Sequence, residues 1–469
     1  MSGNWSKIVI LFMIVLLIYV PSVSSNIVKI SYLNDKDENE QTSINSLVEM
    51  NTTYSPHVVV ALIDTAIDVY HQAFRRESQI IHPSKIIQGF PEDAEAVNVT
   101  FDDVGGYWSC IEQDAFIWKN LTAKKLYWFP HTNIIGISFN NISQEDEYPI
   151  LSGHWHGTLT SSIVSMNCPG VTIVLIQANG SAFPEAFSWA INQSWIDIII
   201  PEFATKQLGA RPEWNAIPNI SRKGVENGKL IIVPGGNSAR NISFLSNICG
   251  MPWVISIGGV ESYSHGASIH VSRWTDYVSN FTMMGAHVPI EPNVFNLFNE
   301  TYRNGTGTSA SAPVAAAAFA SILLQLRKEL NYTGGIVNTS LIENPEKHIR
   351  ITNYDIREAV NHTALYWKAS DWRLGHWPYI RDPMWLRLLL NPFGFGWALF
   401  CLYLMKRATI TRPINTLEPW LQMGWGFVDN SIVNDTINVL LGKKDMPEKP
   451  PEAVRFMESN YNIRERIWR

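Results

Sequence analysis

His57-Val58-Val59-Val60-Ala61-Leu62-Ile63 is an unbroken, mostly β-branched apolar run, and it ends on Asp64 and Thr65. Apolar residues at every position, without alternation, describe a strand buried on both faces, as in a parallel sheet. Runs of the same kind follow at Ile134–Ile137, Val171–Ile176, Ile196–Ile200, Leu230–Val233 and Val254–Ile257. Helical stretches fall between several of them, for example Thr158–Ser165 and Ala182–Asn192. Strands alternating with helices predict an α/β fold built on a parallel sheet. No internal repeat is visible.

Upstream of the first run the character changes. Lys7 gives a short basic start, Ile8–Val20 is apolar throughout, Pro21 ends it, and Val23 and Ser25 are small residues placed for cleavage. Residues 1–25 thus read as an export signal, cleaved or kept as an N-terminal anchor. The run is short for a span, which takes about 20 residues. Residues 26–55 are polar, with Asn34 to Asn39 all polar or charged, and read as a flexible linker or short pro-segment. Export also suits the sequons. Fifteen N-x-S/T sites run from Asn51 through Asn98, Asn179 and Asn361 to Asn434, against roughly five expected at ordinary Ser/Thr content. The protein is therefore expected to be a glycosylated, secreted or extracytoplasmic one.

Composition narrows the class. The chain has 469 residues, 46% of them hydrophobic and 17% charged, enough for a sizeable core. A net charge of −6 argues against a nucleic-acid binder. Cys110, Cys168, Cys249 and Cys401 have no metal-ligand spacing. An exported chain permits disulfides, and one pair is expected among the first three.

Four short motifs carry chemistry. Ile63-Asp64-Thr65-Ala66-Ile67-Asp68 sits at the carboxyl end of the first strand, where open α/β sheets place their sites. A carboxylate there can hold a histidine tautomer, although an Asp after a strand is more often a cap or turn. His154-Trp155-His156-Gly157-Thr158 precedes a helix. A metal pair at His154 and His156 lacks a following Glu and a third ligand, so no metal site is assigned. Gly305-Thr306-Gly307-Thr308-Ser309-Ala310-Ser311-Ala312-Pro313-Val314 opens a long apolar helix reaching about Leu330. Ser309 at its start meets free amides and the helix dipole, which favour a developing anion. Ile231-Ile232-Val233-Pro234-Gly235-Gly236-Asn237-Ser238 runs a strand into two glycines and an Asn. The Asn237 amide can donate to an oxyanion, a contact worth about 3 to 4 kcal/mol in the transition state, or serve as plain turn chemistry.

In the order Asp, His, Asn, Ser these motifs resemble the subtilisin-like serine protease family. Asp64-Thr65 matches the aspartate motif, His156-Gly157-Thr158 the histidine motif, Gly236-Asn237 the oxyanion motif and Gly307-Thr308-Ser309-x-x-x-Pro313 the serine motif. Met251 to Gly258 looks like the strand after the oxyanion loop, and Gly424-Trp425-Gly426-Phe427-Val428-Asp429 like the closing strand and turn. The resemblance implies a three-layer, parallel-sheet α/β fold over residues 56–441. It implies a serine endopeptidase with Asp64, His156 and Ser309 as triad, Asn237 as oxyanion donor, a peptide or protein substrate and no required cofactor. Calcium often stabilises the family, but no loop here offers ligands that can be named.

Departures bear on substrate placement more than on chemistry. Ala66 replaces a glycine, Trp155 fills a small position, and Ile200-Pro201-Glu202-Phe203 stands where the family has a Ser-x-Gly strand that pairs with substrate. The Ser309-Ala310-Ser311-Ala312-Pro313 context is also similar to the acid-active sedolisins, in which Glu replaces the His and Asp the oxyanion Asn; His156 and Asn237 favour the subtilisin chemistry. A peptide-binding pseudoprotease of the same fold is the alternative, and a glycosylated surface protein with coincidental motifs the more remote one. Two insertions interrupt the domain. One, about residues 95–132, is rich in aromatics without a clean period and reads as a surface insertion with its own small core, or as a lid over the substrate. The other, about residues 367–418, contains the apolar stretch Leu388–Met405 before Lys406-Arg407. Its uninterrupted part, Trp397–Met405, is too short to span a bilayer, so it reads as an interfacial or buried hairpin, with a transmembrane helix as runner-up. Residues 442–469 read as a tail.

Overall fold

The computed structural model describes residues 54–101, 106–140, 148–151, 155–202, 212–236, 248–262, 269–271, 283–285, 291–292, 302–303, 307–366 and 424–468. They belong to the compact unit Thr52–Arg469. The export signal, nearly all of the linker, Asn237, residues 367–418 and thus Leu388–Met405 lie outside the described residues.

The apolar runs form strands β1 (Val59–Asp64), β4 (Ile134–Ser138), β5 (Thr172–Gln177), β6 (Ile198–Pro201), β7 (Leu230–Pro234) and β8 (Ile255–Gly258), with β2 (Glu95–Ala96) and β3 (Tyr127–Trp128) between the first two. The helices are α1 (Gly106–Gln113), α2 (Ala115–Asn120), α3 (Trp155–Asn167), α4 (Phe183–Asn192), α5 (Ile217–Glu226), α6 (Thr308–Glu329), α7 (Asn353–Thr363), α8 (Val433–Leu440) and α9 (Pro451–Trp468). One ten-stranded sheet runs in the order Phe427–Val428, Met283–Gly285, β8, β7, β6, β1, β5, β4, β3, β2. Pairing is parallel from β4 through β5, β1, β6 and β7 to β8. β3 is antiparallel to β4.

Burial on both faces explains the unalternating runs. Val58, Val60 and Leu62 point into one core, Val59, Ala61 and Ile63 into the other, as the period of two requires. The first core is closed by α6, whose Ala315, Ala316, Ala317 and Ala318 let the helix lie close to the sheet, and by Ile356 and Val360 of α7. The second is closed by Phe183, Ala186 and Phe187 of α4 and Ile217 and Val225 of α5. Each fully buried Val, Leu or Ile contributes about 1.5–3 kcal/mol, so two closed faces make this a stable three-layer α/β fold. By length and composition α6 could cross a membrane. Its burial identifies it as the core helix.

The chain adds β4 and β5 on one side of β1, then β6 to β8 on the other. The order therefore reverses at β1, and open α/β sheets place their ligand sites beyond the carboxyl end of the strand at such a reversal.

Three expectations are corrected. Residues 95–132 do not build a separate core: β2 and β3 extend the main sheet, and Trp118, Tyr127 and Phe129 pack with Tyr70 and Phe74 in the main core. Trp118 Nε1 donates to the Tyr70 hydroxyl at 2.6 Å, which donates to Asp114 Oδ2 at 3.0 Å. Side chains drawn to several partners at once leave no clean period in the sequence. Residues 442–469 are not a loose tail, since α9 buries Ala453 and Met457. Cys110, Cys168 and Cys249 are buried thiols, not disulfide partners. Cys249 packs on the opposite face of the sheet from the other two.

Candidate active site

Asp64 is the last residue of β1, level with Gln177 of β5, and is 1% exposed. A carboxylate this deep needs donors, and it has them. Thr65 N–H donates to Oδ1 at 2.6 Å and Thr160 Oγ1 to Oδ2 at 2.8 Å. His156 Nδ1 lies 2.9 Å from both oxygens. Ionised Asp64 only accepts, so Nδ1 carries the proton and Nε2 is left as the basic nitrogen.

The local sequence explains how the imidazole is delivered. His156 is the second residue of α3, and Gly157 follows it against the backbone of β1's exit. A Cβ at Gly157 would stand 2.1 Å from the Ala66 carbonyl oxygen, so only glycine lets the helix start this close. Thr158 Oγ1 accepts from Asp68 N–H at 2.8 Å and ties the same two segments together. Burial pulls the His156 pKa down, but the charge and hydrogen bond of Asp64, with the charge of Glu202 behind them, outweigh that and push it up to about 9.

Ser309 is the second residue of α6. Gly307 before the helix has φ 130°, a conformation open to glycine and strained for other residues. Leu159 and Ile163 of α3 pack against Ala310 and Val314 of α6. The helix starts carrying His156 and Ser309 are thus held by two helices in direct contact. Thr308 Oγ1 accepts from Gly236 N–H at 3.1 Å, joining the serine helix to the loop after β7.

The family model described as the subtilase family matches residues 55–396. The chain belongs to the subtilase family, a family of serine proteases. Solved structures similar to it include a serine-to-alanine mutant of the protease domain of PatA, at 12% identity over 85% of this chain and 100% of that one, with TM-score 0.42. The prenylagaramide maturation protease PagA is 11% identical over 82% of this chain and 96% of its own, with TM-score 0.42. A lanthipeptide protease is 13% identical over 81% and 89%, also with TM-score 0.42. No curated protein sequence matches the chain.

In this subtilase, then, the structure brings Asp64 and His156 into contact and sets Ser309 on the neighbouring helix. Asn237 lies outside the described residues, two positions beyond the described Gly235. Sequence reasoning missed Thr160 as a donor to Asp64. The signal was there: Thr160 is four residues after His156, one turn along the same helix face. It also did not place Glu202. This residue follows Pro201, which is level with Ile63 of β1, and its N–H donates to the Ile63 carbonyl at 3.1 Å. Glu202 is 7% exposed, and among the described residues neither carboxyl oxygen has a fully formed hydrogen bond. Burial raises its pKa well above the carboxylate range; the charge of His156 lowers it, that of Asp64 raises it, and the nearby Ser309 hydroxyl lowers it.

Proposed function

We propose that the chain is a serine endopeptidase that acts outside the cell on peptide or protein substrates. One observation carries the reading: His156 Nδ1 lies 2.9 Å from both oxygens of a buried Asp64, beside the helix whose second residue is Ser309. In this reading His156 Nε2 takes the proton of Ser309 as its oxygen attacks the scissile carbonyl. Asp64 holds the tautomer and stabilises the imidazolium. Asn237 and the Ser309 N–H donate to the oxyanion. His156 then protonates the leaving amine, and water repeats the sequence on the acyl-enzyme. The residues supply every group the reaction needs, so no cofactor enters it.

Labelling by a fluorophosphonate tests the reading. The wild type is expected to be labelled and Ser309→Ala not. Absence of labelling in both, with peptide binding retained, would favour the pseudoprotease, a reading supported by the buried Glu202 carboxyl close to Ser309.

Extracytoplasmic action rests on the export signal and the sequons. Among the described residues the sequon asparagines are exposed, Asn98, Asn179 and Asn434 included, except Asn361, which is 4% exposed on α7 and has no room for a glycan. Membrane association through Leu388–Met405 is the hairpin reading of the apolar insertion. A glycan on Asn434 would exclude a single span there, because a span would leave Asn434 on the cytoplasmic side.

A further inference from the structure

Two carboxyl groups stand at the carboxyl ends of neighbouring strands, and acyl transfer uses only one. Asp64 is surrounded by donors. Among the described residues Glu202 is not, although its backbone is fixed to β1 one residue before Asp64. Among the described residues, three titratable or hydroxyl groups act on it: His156 from α3, Asp64 from β1 and Ser309 from α6. β7, on the far side of β6, consists of Leu230, Ile231, Ile232, Val233 and Pro234 and offers nothing that titrates. The charged residues of α6, Arg327, Lys328 and Glu329, all lie in its last turn; Arg327 is engaged at the opposite end of β6 and Glu329 pairs with Lys443. A buried carboxylate without neutralising partners is costly enough that such groups hold a proton instead.

We propose that Glu202 is a positioning residue of the acyl-transfer site: ionised, it draws the Ser309 hydroxyl and keeps His156 charged, and protonated, it leaves both free to react. The inference rests on the peptidase reading above. Its physical content is a proton count. With Asp64 ionised, one proton shared by His156 and Glu202 has two resting places. On His156 it gives an imidazolium and a second carboxylate, and the imidazole is no base. On Glu202 it gives a neutral imidazole able to accept from Ser309. Burial favours the second arrangement, because it has fewer charges; attraction between imidazolium and carboxylates favours the first. No covalent step is added to the reaction.

The test is the pH dependence of fluorophosphonate labelling of the full chain, for wild type, Glu202→Gln and Glu202→Ser. Without the Glu202 charge the imidazolium loses a stabilising neighbour. The midpoint of the acid limb is then expected to fall by about 1 to 3 pH units, the size of a close charge effect. A residue that only packs would lower the plateau or the melting temperature and leave the midpoint in place. Glu202→Ser, smaller and also uncharged, gives the same readout if Glu202→Gln does not fold. A midpoint unmoved or raised in the uncharged variants overturns the inference and leaves the peptidase reading standing. A wild type that is not labelled at any pH, with both variants equally inert, refutes the peptidase reading itself.

Discussion

β6 is bracketed by two buried carboxylates, Asp197 before it and Glu202 after it, and the two ends of this strand are built on opposite plans. At the amino end both Asp197 oxygens are occupied: Oδ1 by Arg327 Nη2 at 2.7 Å, Oδ2 by Arg327 Nη1 at 2.9 Å and by Val59 N–H at 3.0 Å. Arg327 also donates to the carbonyls of His57 and Leu341 at 2.6 and 3.0 Å. Arg327 and Asp197 are both 0% exposed. This is a bidentate charge pair that joins α6 to the start of two strands. At the carboxyl end, neither Glu202 oxygen has a full hydrogen bond among the described residues, and His156 turns Nδ1 to Asp64. The carboxylate that holds the fold has both oxygens occupied; among the described residues the one beside His156 does not.

The largest effects should separate the two ends cleanly. Ser309→Ala is expected to lower kcat by about 10⁶, the loss typical of a missing acyl-transfer nucleophile, while denaturant unfolding stays as in the wild type. Arg327→Met should do the reverse. It strands Asp197 in the core and costs about 3–5 kcal/mol of stability, with kcat of the molecules that remain folded unchanged. A Ser309→Ala protein as destabilised as Arg327→Met would erase the distinction. Next in size is Asn237→Ala, expected to lower kcat by roughly 10²–10³ with little change in KM, because the amide acts on the transition state. An unchanged kcat would mean that the oxyanion is held elsewhere.

What could be read from the sequence follows the range of the forces involved. The run His57–Ile63 declared a doubly buried strand because each residue from Val58 to Ile63 lies in one of two cores. Asp64 and His156 were legible as a pair through motif order, and Gly157 through the contact that forbids a Cβ. Thr160 was within reach by helix periodicity. Glu202 was not: its approach to Asp64 and His156 depends on β6 lying beside β1 in the register Ile63 to Pro201, a pairing of distant segments that no local pattern carries. The aromatics of residues 95–132 failed for the same reason, since their partners are Tyr70 and Phe74.

The open end should also betray itself through pH. From the ordinary histidine value near 6.5, activity would be expected to fall below about pH 6. With the His156 pKa at about 9, the limb moves up: the imidazole is charged and useless as a base below that value, so kcat/KM should rise with pH toward about 9. Stability runs the opposite way. The folded pKa lies above the unfolded 6.5, so the imidazolium–Asp64 pair stabilises fully below pH 6.5 and its contribution is lost as pH rises through about 9. Thermal unfolding of Ser309→Ala across this range reads the second trend without autolysis. Activity undiminished at pH 3 would contradict the His156 role and favour carboxylate chemistry like that of the sedolisins.

The smallest effect belongs to Thr160. Its hydroxyl donates to Asp64 Oδ2 at 2.8 Å and shares itself with the Gly157 carbonyl at 3.2 Å. Thr160→Val keeps the shape and the burial but removes the donor. A hydrogen bond to a charged group contributes about 1.5–3 kcal/mol, and the second acceptor already divides it, so the lower end applies, read as a loss of stability in denaturant unfolding. The direction of the accompanying pH shift is the sharper reading. A donor draws charge out of the carboxylate. Without it the charge on Asp64 is more concentrated, its pull on the His156 proton is stronger, and the activity limb moves to higher pH. Glu202→Gln moves the same limb down. Two uncharged substitutions on either side of one imidazole, shifting one titration in opposite directions, would show that both carboxyls act through His156. A Thr160→Val limb that stays in place would mean that Asp64 is held well enough by His156 and Thr65 alone.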